Sequence, residues 1–119
     1  MSKYLTKEEK KIKLSDDKMS REVRRVGKCE RCGFVEPYKL KGQAHPKNNR
    51  LEDSHIIPKR YMPTRWLRIN HQCLCYMCHS VWWHKESNDL ERIKWIEKSM
   101  GLEVYKNLWE EARKIIPRC

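Results

Sequence analysis

The chain contains CYMCH at residues 75–79 and CERC at residues 29–32, two cysteine pairs with the same CxxC spacing. Two intervening residues let a tight turn bring both sulfurs to one side, and two such turns supply the four thiolates of a tetrahedral zinc site. We therefore predict a structural Zn²⁺ ion held by Cys29, Cys32, Cys75 and Cys78. Disulfides or unpaired core cysteines are the alternatives, and Cys73 competes as a ligand although its CxC spacing suits the turn less well.

The length and composition fit one small domain. With 119 residues, of which 39% are apolar and 36% charged, the chain has a lean core, and small domains of this kind commonly rely on a metal or disulfides. No apolar run approaches the length of a membrane span, about 20 residues, and the N-terminal sequence lacks the apolar centre of a signal peptide. We therefore expect a cytoplasmic protein in a reducing compartment, where cysteine pairs more often bind metal.

Positive charge is concentrated in the first part of the chain. The formal net charge is +11 at pH 7, and residues 1–70, with 19 basic and nine acidic side chains, carry +10 of it. An uneven field of this kind suits a polyanion, either nucleic acid or an anionic membrane surface. The alternative is an excess of charge that only keeps the protein soluble.

Local signals divide the chain into three segments. We predict a basic N-terminal helical arm over residues 1–28, a core with the structural zinc over residues 29–84, and a C-terminal helical buttress over residues 85–119. In the arm, the pattern predicts a helix over Asp16–Val26, capped by Ser15 and ended by a glycine.

The core and the tail contain further elements. The segments Leu51–Ile57 and Arg65–Ile69 are expected to pair as strands, and a short helix is expected over Tyr76–His84. A capping box formed by Asn88 and Glu91 predicts the first of two C-terminal helices.

The segment between the cysteine pairs carries an ordered set of polar residues. His55 is followed by Ile-Ile-Pro, Asn70 comes next, and His79 directly follows the second cysteine pair. This order, held between two zinc-binding turns, resembles the HNH (His-Me finger) endonucleases, especially small phage members, over about residues 29–84. The resemblance implies an α+β fold, with a zinc-stapled ββα-metal (HNH) core of two strands and a helix around one divalent ion, flanked by N- and C-terminal helices.

The resemblance assigns chemistry to individual positions. His55 matches the general base, whose neutral imidazole takes a proton from the attacking water, and Asn70 matches the residue that orients it. His79 matches the helix-borne ligand of a catalytic divalent ion (Mg²⁺, Mn²⁺, Ni²⁺ or Zn²⁺) that acts as a Lewis acid. The implied activity is metal-dependent hydrolysis of DNA, by nicking or double-strand cleavage, that leaves 5′-phosphate and 3′-hydroxyl ends.

One position departs from the family pattern. Many members place Asp or a second His just before the base, where this chain has Ser54, a poor metal ligand. Three replacements remain open: His84 completes the shell of the ion from the helix, Asp53 turns in from the strand, or His55 is itself a ligand. We favour His84, although it lies five residues after His79 and members that use a second helical His have a spacing of four.

The candidates for contacts with phosphates are Lys59, Arg60, Arg65 and Arg68, which bracket the expected site, and Arg24 and Arg25, which lie on the N-terminal arm. The alternative is that these side chains only solvate the hairpin and the helix. We expect double-stranded DNA as the partner, no membrane, and a monomer or weak homodimer. A phage-encoded protein in a bacterial host is implied by the resemblance alone. The rival functions are a structure-selective nuclease for branched DNA and a non-catalytic zinc module that binds nucleic acid.

Other aromatic side chains receive structural interpretations. Trp82 and Trp83 are expected in the core against the C-terminal helices rather than in a platform that stacks on bases. His45 and His71 are expected on the surface or in loops.

Overall fold

The computed structural model describes residues 5–35 and 49–114, so His45 lies outside the described residues. The elements in chain order are helix α1 (Lys7–Arg24), strand β1 (Leu51–His55), the helical turn α2 (Met62–Arg65), a 3-10 turn (Arg68–Asn70), strand β2 (His71–Cys75), a π-helix (Met77–Glu86), and helices α3 (Asp89–Ser99) and α4 (Leu102–Ala112). They form a small α+β fold, as predicted. None of the helices in the described ranges is long and apolar enough to cross a membrane.

The sheet is a pair of antiparallel strands. In the register of β1 and β2, Leu51 lies opposite Cys75 and His55 lies opposite His71. The first cysteine turn covers the outer edge of β2, because the Glu30 amide donates to the Cys73 carbonyl at 2.8 Å and the Cys73 amide donates to Oε2 of Glu30 at 2.6 Å. Both edges of β2 therefore have hydrogen-bond partners.

The prediction that Arg65–Ile69 forms the second strand is wrong. The backbone there turns twice, with Leu67 N donating to Thr64 O at 3.2 Å and Asn70 N donating to Leu67 O at 2.9 Å. The strand that pairs with β1 is β2, all five of whose residues are buried. A strand buried on both faces shows no alternation of apolar and polar residues, so β2 carries no period-two signal in the sequence.

Helix α1 starts earlier than predicted. The capping box that begins it is formed by Thr6 and Glu9, and Ser15 lies inside the helix. The Thr6 side chain and the Glu9 carboxylate each satisfy one amide at the N-terminus, which is the stronger initiation signal. Val23, fully buried, joins α1 to the core, and Gly27 follows the helix with a φ of 79°.

Two buried clusters form the core. The first surrounds the cysteines and the sheet and consists of Val23, Cys29, Leu51, Cys73, Leu74, Cys75 and Cys78. The second joins the end of the hairpin to the C-terminal helices and consists of Ile56, Ile57, Trp83, Ile96, Leu108 and Ala112, with Trp82 packed against it. The prediction that both tryptophans belong to the core is confirmed.

The C-terminal helices follow the local signals. Asn88 and Glu91 form the predicted capping box of α3, and Gly101, with a φ of 86°, lies between α3 and α4. The helix predicted over Tyr76–His84 is also present, but its hydrogen bonds are of the π type.

Candidate functional site

Four cysteine sulfurs converge beside the sheet. The Sγ atoms of Cys29, Cys32, Cys75 and Cys78 all lie within 4.8 Å of one another, and those of Cys32 and Cys75 are 3.6 Å apart. A disulfide needs about 2.05 Å, whereas sulfurs bound to one zinc ion at about 2.3 Å are separated by about 3.8 Å in a tetrahedron. The four predicted ligands are therefore close enough to hold a structural metal ion.

Backbone groups prepare the first cysteine pair for this role. The amide of Cys32 donates to Sγ of Cys29 at 3.4 Å, and the amide of Gly33, with a φ of 83°, closes the turn onto the Cys29 carbonyl at 2.9 Å. Burial raises the pKa of the Cys29 thiol, but backbone N–H donors from Cys32 and Cys75 outweigh burial and bring the pKa down to about 7. A thiolate, the form that binds metal, is thereby favoured.

The remaining cysteines have different surroundings. Burial raises the pKa of Cys78, and Arg31 partly offsets this by donating to Sγ of Cys78 at 3.4 Å. Cys73 is fully buried in the first core cluster, where burial, followed by the charge of Glu30, raises its pKa to about 11. It stays a neutral thiol and is not among the four clustered sulfurs.

The π-helix brings two histidines together. Backbone hydrogen bonds in such a helix join residues five apart, so side chains at that spacing lie one above the other. The Nε2 atoms of His79 and His84 are 3.1 Å apart, close to the separation of about 3.3 Å between two imidazole nitrogens on one zinc ion. The helix type therefore accommodates the spacing of five that departs from the family pattern.

A carboxylate orients the first of these histidines. Oε1 of Glu52 lies 3.0 Å from Nδ1 of His79 and accepts a hydrogen bond from the Ser80 hydroxyl at 3.3 Å. With its proton on Nδ1, His79 presents the lone pair of Nε2 toward His84, the arrangement that commonly supports a metal-binding imidazole. Burial, followed by the neighbouring His79, lowers the pKa of His84.

Sequence analysis did not identify Glu52. The signal was present in the strand alternation, because Glu52 and Ser54 share one face of β1 while Asp53 faces the other way. The Ser54 hydroxyl on that face is buried and makes no hydrogen bond within the described part of the chain.

A buried histidine, His71, lies beside His55. His71 was expected on the surface or in a loop, but it is only 3% exposed because β2 begins with it, opposite His55, and the ring centroids are 4.4 Å apart. Its Nδ1 is 2.7 Å from Oδ1 of Asp53, and its Nε2 is 2.7 Å from the Arg65 carbonyl oxygen. The prediction for His71 is therefore wrong.

Together these side chains form a compact polar group. One ligand atom each from Asp53, His55 and His71 lies within 4.8 Å of the others. Burial, followed by the charge of His71, lowers the pKa of His55 to about 4, so its imidazole is neutral at pH 7.

Asn70 fixes the chain that directly follows His55. Its amide side chain is fully buried; Oδ1 accepts from the Ile57 amide at 2.7 Å, and Nδ2 donates to the carbonyls of Ile57 at 3.1 Å and Thr64 at 3.2 Å. The Asn70 carbonyl also accepts from the Ile56 amide at 2.9 Å. The residue therefore restrains the path of the backbone as it leaves β1.

His55, His79 and His84 line one concave surface. A cavity of about 1210 Å³ is lined by His55, His79, His84, Glu52, Lys59 and Arg24, among others. The predicted base and both predicted helical ligands thus face the same solvent-accessible space, while the cysteine cluster does not line it.

Arg65 makes an internal contact. Its Nε and Nη2 donate to the two carboxylate oxygens of Asp16 at 2.9 and 2.6 Å, and the Trp66 indole donates to the same carboxylate at 2.9 Å. These bonds to Arg65 and Trp66 lower the pKa of Asp16 although partial burial raises it. They join α1 to the segment that connects the strands.

The other predicted phosphate-binding residues differ in their contacts. Lys59 and Arg24 line the cavity. Arg68 donates to the His71 carbonyl at 2.8 Å, Arg60 lies over the Tyr61 ring at 5.0 Å, and Arg25 is exposed.

Comparisons with known proteins give no family assignment: neither a family model, nor a curated protein, nor a solved structure matches this chain.

Proposed function

We propose that this protein is a metal-dependent endonuclease that hydrolyses phosphodiester bonds of DNA, with β1, β2 and the π-helix as its ββα-metal (HNH) core. The observation that carries the proposal is the shared cavity, in which the half-buried imidazole of His55 lines the same space as the close pair His79 and His84. A metal-binding pair of imidazoles and a general base are groups that metal-assisted phosphodiester hydrolysis uses.

His55 suits the role of general base. Its pKa of about 4 keeps the ring unprotonated at neutral pH, so a ring nitrogen is free to accept the proton of the attacking water. Asn70 acts as a positioning residue, because its bonds to the Ile57 backbone restrain the chain next to His55. In this proposal a bond forms between the water oxygen and phosphorus as the proton moves to His55, and the bond between phosphorus and the 3′ oxygen breaks. The 3′ oxygen takes a proton from solvent and leaves as the 3′-hydroxyl.

The pair His79 and His84 would hold the catalytic divalent ion, with Glu52 orienting His79. When bound, this ion supplies Lewis-acid stabilisation of the charge that develops on the phosphate and on the leaving oxygen. Two protein ligands leave open positions, which is typical of catalytic rather than structural metal sites.

The charge distribution supports DNA as the substrate. The net charge of +11 favours a polyanion, and Lys59 and Arg24 line the cavity, where a phosphate backbone would be neutralised. Arg65 is held by Asp16, so we leave it out of the proposed phosphate contacts.

A plasmid assay tests the proposal. Supercoiled DNA is incubated with the protein in EDTA and in Mg²⁺, Mn²⁺ or Ni²⁺, and nicked and linear products are measured. We expect cleavage with Mg²⁺ or Mn²⁺ that EDTA abolishes and that His55→Ala and His79→Ala reduce by at least about 100-fold, the usual contribution of a general base. The matched control Lys85→Ala changes an exposed neighbour of His84 and should cleave normally.

A second function is favoured by Ser54. The position before His55 offers no carboxylate, and the Ser54 hydroxyl is buried, so the ion would have only two histidine ligands. A non-catalytic zinc module that binds nucleic acid would retain salt-sensitive DNA binding and give no cleavage with any ion.

Preferential cleavage of a four-way junction over linear duplex would instead indicate the structure-selective nuclease.

A further inference from the structure

His71 has an unusual pair of neighbours for a buried imidazole. Its side chain is 1% exposed and that of Asp53 is 9% exposed. Both ring nitrogens face oxygen atoms at 2.7 Å, one from the Asp53 carboxylate and one from the Arg65 carbonyl. A backbone carbonyl can only accept, so Nε2 carries the hydrogen that is donated to Arg65.

With the hydrogen on Nε2, the other ring nitrogen, Nδ1, needs a cation or a proton between it and the Asp53 carboxylate. In the neutral ring the lone pair of Nδ1 faces the carboxylate of Asp53, and two lone pairs cannot remain buried against each other without a cation between them. That cation is either a second ring proton or a metal ion. A histidine that donates one N–H to a backbone carbonyl is also the usual form of a metal-binding imidazole.

His55 provides a third donor at this position. A ring nitrogen of His55 lies within 4.8 Å of the ligand atoms of Asp53 and His71. If the Asp53 oxygen and the His71 nitrogen, 2.7 Å apart, were both bound at about 2.1 Å, the angle between the two bonds would be about 80°. This angle is closer to the right angles of octahedral or tetragonal sites than to a tetrahedron.

We propose that Asp53, His55 and His71 form a separate site for one divalent transition-metal ion, such as Ni²⁺ or Co²⁺. Two imidazoles and one carboxylate favour these ions over Mg²⁺, which prefers oxygen ligands. Each of the three side chains supplies one ligand atom to the site.

The consequence for catalysis rests on the proposed function. An ion in this site occupies the ring nitrogen of His55 and prevents it from accepting a proton from water. An ion in this site would therefore inhibit the enzyme. An ion held by His79 and His84 would instead support cleavage.

Nickel binding by the full untagged chain tests the site without DNA. The protein carries zinc in the cysteine cluster and the substitutions His79→Ala and His84→Ala, which remove the other imidazole pair. Equilibrium dialysis against micromolar Ni²⁺, followed by elemental analysis, should find about one nickel per chain, since the three side chains form one site. Absence of nickel binding in this background overturns the proposal.

Two further variants locate the ligands. In the same background, Asp53→Asn and His55→Gln should each weaken nickel binding at least about tenfold, the scale of losing an interaction that supports a metal. Asn at position 53 still accepts a hydrogen bond from His71, so the fold is retained, and unchanged zinc content and circular dichroism check this. The control Asp17→Asn alters another carboxylate on the cavity and should bind nickel normally.

The possible results separate this site from the nuclease proposal. Nickel affinity that is equal in the background, Asp53→Asn and His55→Gln would overturn the site, even if the plasmid assay shows cleavage. Nickel binding that Asp53→Asn and His55→Gln weaken would support the site, even if the protein cleaves no DNA.

Discussion

Replacing Asn70 with alanine should destabilise the fold more than its size suggests. The substitution removes three side-chain hydrogen bonds. The Ile57 amide and the Ile57 carbonyl each lose the partner that the Asn70 side chain provides. The Thr64 carbonyl loses least, because it also accepts from Leu67 at 3.2 Å. A buried backbone group left without a partner costs about 1–3 kcal/mol, so two such groups give a loss of about 2–6 kcal/mol in the free energy of unfolding. This is a large part of the stability of a small domain.

Urea unfolding in the presence of zinc, followed by tryptophan fluorescence, measures this loss. The matched control is Asn88→Ala, since Asn88 also bonds the backbone through Oδ1, to the Glu91 amide at 2.8 Å, but at an exposed helix cap. Loss of such a cap costs about 1 kcal/mol. If Asn70→Ala costs no more than Asn88→Ala, the reasoning that Asn70 restrains the chain beside His55 is refuted.

Three further substitutions test other parts of the structure. Cys32→Ser should release the metal and lower the free energy of unfolding by several kcal/mol, because binding energy at a structural site is folding energy. Cys73→Ala should keep its zinc, and equal zinc loss in both variants, measured by elemental analysis, would contradict the ligand set. Asp16→Ala should cost about 1–3 kcal/mol in urea unfolding, since the charged Arg65 loses its partly buried acceptor; a loss no larger than for an exposed carboxylate would contradict this role. The pKa of His55 is lowered from 6.5 to about 4, so the unfolded state takes up its proton first and stability falls as the pH drops from about 6.5 toward 4. After allowance for partial exposure, His55→Gln should lose about 1–2 kcal/mol less than the unmodified chain between pH 7 and pH 4.5, and identical losses in the two proteins would show that His55 is not the cause.

Local signals in the sequence predicted the parts of the fold that depend on short spacing. The CxxC pairs predicted the four clustered sulfurs because each turn is made by adjacent residues. The capping box of Asn88 and Glu91 predicted the start of α3 for the same reason. The resemblance predicts that Asn70 orients His55, and this stays a prediction; the structure shows Asn70 bonded to the backbone of Ile57.

Features that depend on distant residues were not accessible in this way. The strand β2 has no alternation because α1, β1 and the first cysteine turn surround it, so its burial depends on segments far away in the chain. The contact of His71 with Asp53 arises from the register of two strands separated by a turn, and a register cannot be read from either strand alone. The π-helix depends on the same tertiary context, because no propensity scale distinguishes it from an α-helix.

The backbone bond between Glu30 and Cys73 gives the cysteine cluster a protective role beyond holding the chain together. A two-stranded sheet is marginal by itself in water, and a strand whose amides face solvent is a template for other chains. When the metal is withdrawn, the turn that contains Glu30 loses its anchor, and the outer side of β2 becomes open to intermolecular pairing. Starvation for zinc should therefore drive this protein toward self-association and precipitation rather than toward a dispersed unfolded chain.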